Sequence, residues 1–111
     1  MIIELNGRTI KLNNRHVSYL KGEEKGEGYW NGVDQTDQTT VRVWERDIFP
    51  KGLRLIPLDA AAPIYTVHEA DSRKGTVTFH LSNQHGTLRL DSTVVVDMFE
   101  LYPDQYISLG G

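Results

Sequence analysis

The sequence predicts an all-β fold: a single antiparallel barrel or sandwich of about eight short strands over residues 1–111. Short stretches of alternating apolar and polar residues recur along the chain, separated by turn residues at intervals of about 8–12 residues. A chain of 111 residues also has the usual length of one domain, and about two-thirds of its unfolded surface becomes buried on folding. We therefore expect one domain with one core.

The N-terminal hairpin has the clearest local signal. Residues 2–5 and 8–12 both alternate, and Asn6-Gly7 between them favours a two-residue type I′ turn, in which both residues have positive φ. We predict a second turn at Asn13-Asn14. Further strands are predicted over residues 15–20, 40–46, 53–58, 64–69, 76–81, 87–90 and 93–97, with a last short strand within 104–109.

Glycine, proline and branched residues modify this prediction. Residues 21–28 hold three glycines and five charged residues, which is typical of a mobile solvated loop, and Asn31-Gly32 is a further turn signal. Pro57 cannot donate to a ladder, so it belongs at a sheet edge or a strand end. Residues 59–63 are compatible with one helical turn.

The C-terminal region allows two interpretations. Three successive valines favour a strand over residues 93–97, because β-branched side chains fit a pleated surface better than a helix. Asp91-Ser92-Thr93 would alternatively cap a helix running to Tyr102. A helical turn over residues 98–102 also stays open.

Composition excludes several functions. The chain has no cysteine, which removes disulfides, thiolate zinc sites and cysteine nucleophiles. Residues 1–7 lack the basic and apolar regions of a signal peptide, and no apolar run approaches the roughly 20 residues that span a bilayer. We expect a cytoplasmic protein that does not enter a membrane.

Charge bears on the class of partner. The net charge of −3 argues against a polyanion binder that uses the whole domain. Residues 1–56 carry nine basic and eight acidic side chains, whereas residues 57–111 carry three and seven. This asymmetry favours head-to-tail contact or an acidic partner surface, and a uniformly solvated surface is the simpler alternative.

The histidines offer one candidate for a metal site. His68, His80 and His85 would form such a site with Glu69 or Asp71 if they converged. No His-x-His pair or His-Glu-x-x-His helix fixes their spacing, and ordinary surface histidines explain them equally well. We predict neither a metal nor a cofactor.

Catalytic motifs are missing from the sequence. Ser82, Asp91 and His68 or His80 make a triad only in composition, since no Gly-x-Ser-x-Gly elbow accompanies them. No Gly-x-Gly-x-x-Gly loop is present either. The sequence therefore favours a protein that is not an enzyme, with no catalytic residue assigned.

The strongest functional signal is Arg42-x-Trp44-x-Arg46. If Val41 and Val43 point inward, alternation places both guanidinium groups beside the indole on the outer face, an arrangement suited to stacking and anion contact. Tyr29, Trp30 and Lys51 join this face if the strands are neighbours. Two alternatives are an inward Trp44 and arginines that only cover the edge of the core.

These observations predict a non-enzymatic binding module that contacts a protein partner, or a second copy of itself, through Trp30, Arg42, Trp44 and Arg46. The first alternative is a small-molecule-binding barrel or barrel enzyme with a pocket lined by Tyr19, Tyr65, His68 and His80. The second is a binder of single-stranded nucleic acid.

Overall fold

The computed structural model describes residues 1–19, 21–22, 26–58, 63–81, 86–103 and 105–107, and over these ranges the chain forms two antiparallel β sheets. The first sheet contains β1 (Ile2–Leu5), β2 (Arg8–Ser18), β3 (Glu27–Asp34) and β4 (Thr40–Trp44), side by side in that order. The second contains β5 (Arg54–Pro57), β6 (Tyr65–Asp71), β7 (Thr76–Leu81), β8 (Thr87–Asp91) and β9 (Phe99–Leu101), in the order β8-β7-β6-β5-β9. Helix α1 (Glu45–Ile48) follows β4, and helix α2 (Ser92–Met98) follows β8. The prediction of an all-β antiparallel fold is confirmed, and the architecture is sandwich-like.

The core lies between the facing sides of the two sheets. Alternation selects the inward residues, as in β7, where Val77 and Phe79 are fully buried and Thr76, Thr78 and His80 are not. Both sheets and both helices contribute to one apolar cluster, so one core supports the whole described structure. Its buried members are Ile3, Leu5, Ile10, Leu12, Trp30, Val43, Ile48, Phe49, Leu53, Leu55, Val67, Val77, Phe79, Val95, Val96, Phe99 and Ile107.

The N-terminal hairpin has the predicted turn. Asn6 and Gly7 adopt φ of 50° and 81°, and Leu5 pairs with Arg8 across the two-residue loop. The predicted turn at Asn13-Asn14 is wrong, because β2 continues to Ser18. Asn13 instead forms a bulge where the pairing of β2 with β3 shifts by one residue.

Strand β3 was not predicted, and residues 26–28 do not belong to a solvated loop. Its inward residues are Gly28, Trp30, Gly32 and Asp34, so the apolar alternation that marks a half-buried strand is missing. Asn31-Gly32 is not a turn. A Cβ on Gly32 would lie only 2.4 Å from Cγ2 of Ile10, so glycine permits close approach of β2 and β3 there.

The favoured strand over residues 93–97 is wrong, and the alternative helix that follows Asp91 is present, although it ends at Met98 rather than at Tyr102. Residues 92–98 form α2 rather than a strand, because Ser92, Val95 and Val96 recur at helical spacing on its buried side. The helical turn considered over residues 98–102 is strand β9 over most of that stretch. Burial of the helical face therefore outweighs the strand preference of the valines.

Several other predictions agree with the structure only in part. Pro57 is the last residue of β5, at a strand end as predicted, although β5 lies between two other strands. Ile107 forms an isolated bridge to Leu5. The predicted helical turn over residues 59–63 and the loop containing His85 fall largely on residues 59–62 and 82–85, outside the described ranges. Neither helix of the described ranges is long and apolar enough to cross a membrane.

Candidate functional site: an aromatic row with two arginines

Three aromatic side chains form a row on the outer face of the first sheet. Strand register places Tyr29 opposite both His16 in β2 and Trp44 in β4. The rings of His16 and Tyr29 stack, with centroids 5.4 Å apart and planes at 22°. The rings of Tyr29 and Trp44 meet edge to face at 5.6 Å and 67°. We call these three residues the aromatic row.

Two arginines cover the row. The Cζ atom of Arg42 lies 4.2 Å from the centroid of the Tyr29 ring, and that of Arg46 lies 5.2 Å from the Trp44 ring. Both distances are within the range of cation–π attraction. Arg42, Arg46 and the aromatic row together make up what we call the binding face.

The inward and outward sides of β4 are those predicted. Val43 is buried and Val41 is half-buried, whereas Arg42 is exposed and Trp44 is half-buried on the opposite side. Arg46 reaches the face by a different route, because β4 ends at Trp44 and Arg46 belongs to α1. The predicted strand over residues 40–46 is therefore two residues too long, although its three outward side chains still meet.

Trp30 lies away from the binding face, and its inclusion there is corrected. Its side chain is 2% exposed, since neighbouring residues of a strand point to opposite faces and Tyr29 points outward. The Nε1–H group of Trp30 donates a hydrogen bond of 3.0 Å to Oε1 of Glu45. Trp30 thus belongs to the core beneath the site.

A buried ion pair supports the face from below. Arg15 donates through Nε and Nη2 to the two carboxylate oxygens of Glu45, at 2.8 and 3.1 Å. Nη2 of Arg15 also donates to the carbonyl oxygen of Ser72, at 3.0 Å. Because Ser72 lies in the turn between β6 and β7, this cluster links the two sheets.

The two surface arginines differ in whether a carboxylate is paired with them. Nη1 of Arg46 contacts Oε2 of Glu27 at 2.5 Å, and this pair is solvent-accessible. Within the described ranges, no carboxylate forms an ion pair with Arg42. Arg42 therefore presents a positively charged group that is held by an aromatic ring and has open hydrogen-bond donors.

Asp34 at the end of β3 is hydrogen-bonded both to the turn that leads to β4 and to β2. Asp34 accepts hydrogen bonds from the backbone N–H of Thr36 at 2.8 Å and from Nε of Arg8 at 2.7 Å. These bonds, first that from Thr36 and then that from Arg8, hold the pKa of Asp34 below its ordinary value of 3.8. The resulting stabilisation is present above that ordinary value and is lost as the pH falls through the lowered pKa.

Two residues of the face are not among the four that the sequence predicts for it. Tyr29 was considered only if its strand were adjacent, and β3 does lie beside β4. His16 is not predicted for this face. Its position opposite Tyr29 depends on the bulge at Asn13, and no alternation in the sequence reveals that bulge.

The side chains of the predicted small-molecule pocket do not line one cavity. Tyr19 is 62% exposed at the end of β2 in the first sheet. Tyr65 packs edge to face against Phe79 and Phe99 in the core, with centroids 5.6 and 4.9 Å away. His68 and His80 do meet, on the second sheet, and His85 lies outside the described residues.

A different concavity lies between β1 and the segment that follows β9. This open groove has a volume of about 690 Å³ and is lined by Ile2, Glu4, Thr9, Glu100, Leu101, Tyr102, Pro103, Gln105 and Tyr106. In the part of the chain that the structure describes, no group of three or more histidine, aspartate or glutamate side chains is arranged to hold a metal ion. The binding face has a more specific geometry than this groove, because its rings and guanidinium groups are held at defined distances and angles.

Comparison with known proteins adds no relative to this description. The chain matches no protein-family model, no curated protein and no solved structure.

Proposed function

We propose that this chain is a non-enzymatic binding module that recognises an acidic segment of a partner protein through the binding face. The observation that carries the proposal is Arg42, which is stacked on Tyr29 and has no carboxylate partner within the described ranges. The complementary ligand is a segment that places an aspartate or glutamate beside an apolar side chain.

The geometry of Arg42 favours a carboxylate over other ligands. A guanidinium group that lies over a ring keeps N–H donors along its edge, and these fit the two oxygens of a carboxylate. Strand pairing fixes the ring beneath it, so the arginine loses little further freedom on binding. Trp44 supplies the apolar contact beside this charge, and tryptophan and arginine are the residue types enriched at the energetic centres of interfaces.

Arg46 contributes in a second way. Its guanidinium is already paired with Glu27, and 54% of the Arg46 side chain is exposed. A partner carboxylate would compete with Glu27 for it, which yields less affinity than an unpaired group provides. Arg42 and Trp44 are accordingly the two residues that we expect to dominate binding.

The proposal includes the cellular compartment of the protein. We place the protein in the cytoplasm, because a chain of this size without cysteine depends on its apolar core rather than on disulfides.

Peptide binding tests the proposal. The probe is a labelled synthetic peptide of alternating glutamate and leucine, with a lysine-and-leucine peptide as its matched counterpart, and the readout is fluorescence anisotropy. We expect only the acidic peptide to bind, and Arg42→Ala or Trp44→Ala to weaken it by about 10- to 30-fold, the effect of losing one interface anchor. Arg42→Ala combined with Trp44→Ala should abolish measurable binding, whereas Trp44→Ala combined with Arg46→Ala should weaken it more than Trp44→Ala alone.

The matched control is Arg89→Ala, which removes an exposed arginine from β8 in the second sheet. Circular dichroism verifies that each variant is folded. Equal binding of the two peptides, or equal losses for Arg42→Ala and Arg89→Ala, would contradict the proposal. Light scattering of the purified chain shows whether the partner is a different protein or a second copy of this chain. If the chain is a dimer and Arg42→Glu dissociates it, the acidic segment belongs to the second copy.

Single-stranded nucleic acid is the competing ligand class. The faces of Tyr29 and Trp44 that a base would stack on are the faces next to Arg42 and Arg46, so stacking requires the guanidinium groups to move. An oligothymidylate probe tests this directly. If that probe binds tightly and its affinity falls steeply as the salt concentration is raised, the ligand is a nucleic acid rather than a protein.

A further inference from the structure

Two histidines meet on the outer face of the second sheet, away from the binding face. His80 lies in β7 opposite Thr66, and His68 occupies the position at which the pairing of β6 with β7 shifts by one residue. Nε2 of His80 and Nδ1 of His68 are 3.0 Å apart, and the ring centroids are 4.4 Å apart at an angle of 61°. Alternation places both side chains on the outer face, because their neighbours Val67 and Phe79 are buried, and the two imidazoles meet there across β6 and β7.

When both rings are neutral, this contact can be a hydrogen bond between them. One nitrogen donates its hydrogen and the other accepts through its lone pair, and which ring donates depends on the tautomers. If each ring carries its hydrogen on its other nitrogen, both lone pairs point into the same small space. Two lone pairs in that arrangement repel each other unless a cation lies between them.

The separation of the nitrogens indicates which cation fits. With metal–nitrogen bonds of about 2.0–2.1 Å, ligands at a right angle lie about 2.9 Å apart, whereas ligands at the tetrahedral angle lie about 3.3–3.4 Å apart. The observed 3.0 Å matches the right-angle case. Right angles between adjacent nitrogen ligands are the geometry of square-planar, tetragonal and octahedral ions, which include Cu²⁺ and Ni²⁺.

The geometry points to a two-imidazole site, formed by Nδ1 of His68 and Nε2 of His80, for a divalent transition metal of the Cu²⁺ or Ni²⁺ type. His80 is exposed and His68 is half-buried, so an ion reaches the pair from solvent. In the described ranges no third histidine or carboxylate completes the set. Water or a ligand from solution therefore fills the remaining positions, and the ion stays available to a second molecule.

The surroundings are compatible with a bound cation. Glu69 follows His68 directly and, together with Asp71, lines a polar groove of about 190 Å³ on this side of the sheet. Lys74 and Arg89 line the same groove, so its formal charges balance. Among the described residues, the contact between the two rings uses one nitrogen of each, so the second can donate the hydrogen bond by which ligating imidazoles are held in one orientation.

The experiment uses the chain without an affinity tag and the nitrilotriacetate chelate of Ni²⁺, in which adjacent coordination positions are open. Isothermal titration calorimetry should show one chelate bound per chain. His68→Asn and His80→Asn should each weaken binding by on the order of 100-fold, because the second imidazole binds intramolecularly at high effective concentration. The double variant should lose the remaining single-imidazole binding as well and be weaker than either single variant.

His16→Asn is the matched control, since it removes an exposed histidine from the first sheet and should leave the affinity unchanged. Circular dichroism of all four variants separates loss of the ligand from loss of the fold, and the two single variants at His68 and His80 test the pair independently. Absence of binding to the unaltered chain, or equal binding by His80→Asn and the unaltered chain, would overturn the inference. So would a loss in His16→Asn as large as that in His80→Asn. None of these outcomes bears on the acidic-peptide test.

Discussion

At the scale of single residues, Glu45 connects more of the structure than any motif in the sequence indicates. It accepts hydrogen bonds from Arg15 and from Trp30, and the side chains of Glu45 and Arg15 are only 2% and 18% exposed. Removing one partner of a buried ion pair leaves the other charge without compensation.

We therefore expect Glu45→Gln to lower the free energy of unfolding by about 2–3 kcal/mol, less than for a fully buried pair because Arg15 keeps some contact with water. Urea unfolding at neutral pH measures this change. Glu27→Gln is the matched control: it makes the same replacement in the exposed pair with Arg46 and should cost less than about 1 kcal/mol. Losses of equal size in the two variants would show that burial does not set the importance of Glu45.

The same residues show what alternation predicts and what it does not. Arg42 and Trp44 were placed on the outer side correctly, because Val41 and Val43 are apolar residues at every second position. Trp30 was placed on the wrong side, since the residues two positions before and after it are glycines and give no indication of direction. The hydrogen bonds of Glu45, in α1, come from Arg15 in β2 and Trp30 in β3, which no local pattern around Glu45 indicates.

At the scale of elements, β3 depends on small residues. Gly28 and Gly32 flank Trp30 on the inward side of the strand, where a Cβ on Gly28 would lie 2.2 Å from Nη2 of Arg15. At Gly32 the same addition meets a methyl group of Ile10 at 2.4 Å and the carbonyl oxygen of Lys11 at 3.1 Å. Such crowding forces neighbouring atoms to shift.

We expect Gly32→Ala to destabilise the fold by about 1–3 kcal/mol, measured by urea unfolding, because the added methyl group overpacks the contact with Ile10. Ile10→Leu provides the control, since leucine has the same volume and lacks the methyl group in question. In the Ile10→Leu background, Gly32→Ala should cost less than in the unaltered chain. An identical cost in both backgrounds would mean that the contact with Ile10 is not the cause.

Helix α2 shows a second limit of local information. Three consecutive valines favour a strand by intrinsic preference, yet Val95 and Val96 are buried on a helix whose exposed side includes Val94. The spacing of Ser92, Val95 and Val96 is consistent with a helix, but so short a segment also satisfies a strand pattern. The choice depends on contacts with the rest of the core, which lie far away in sequence.

At the scale of the whole molecule, fold class was accessible from the sequence and strand order was not. The fold class follows from many short alternating segments, each of which carries its own signal. The position of β9 beside β5 joins residues 99–101 to residues 55–57, and no local pattern specifies a pairing over that separation. The two proposed sites depend on such pairings as well, because each arises where residues of neighbouring strands meet.

Both sheets share one apolar cluster, and Arg15 of β2 is hydrogen-bonded to the turn between β6 and β7, so we expect the chain to unfold as one unit. Trp44→Phe leaves Trp30 as the single tryptophan, and its fluorescence then reports on the interior of the first sheet. Far-ultraviolet circular dichroism reports on the strands of both sheets. The two signals should change at the same urea concentration, because disruption of either inner face exposes the apolar surface of the other. A Trp30 transition that clearly precedes or follows the dichroism transition would instead show that the two sheets are separate folding units, each stable without the other.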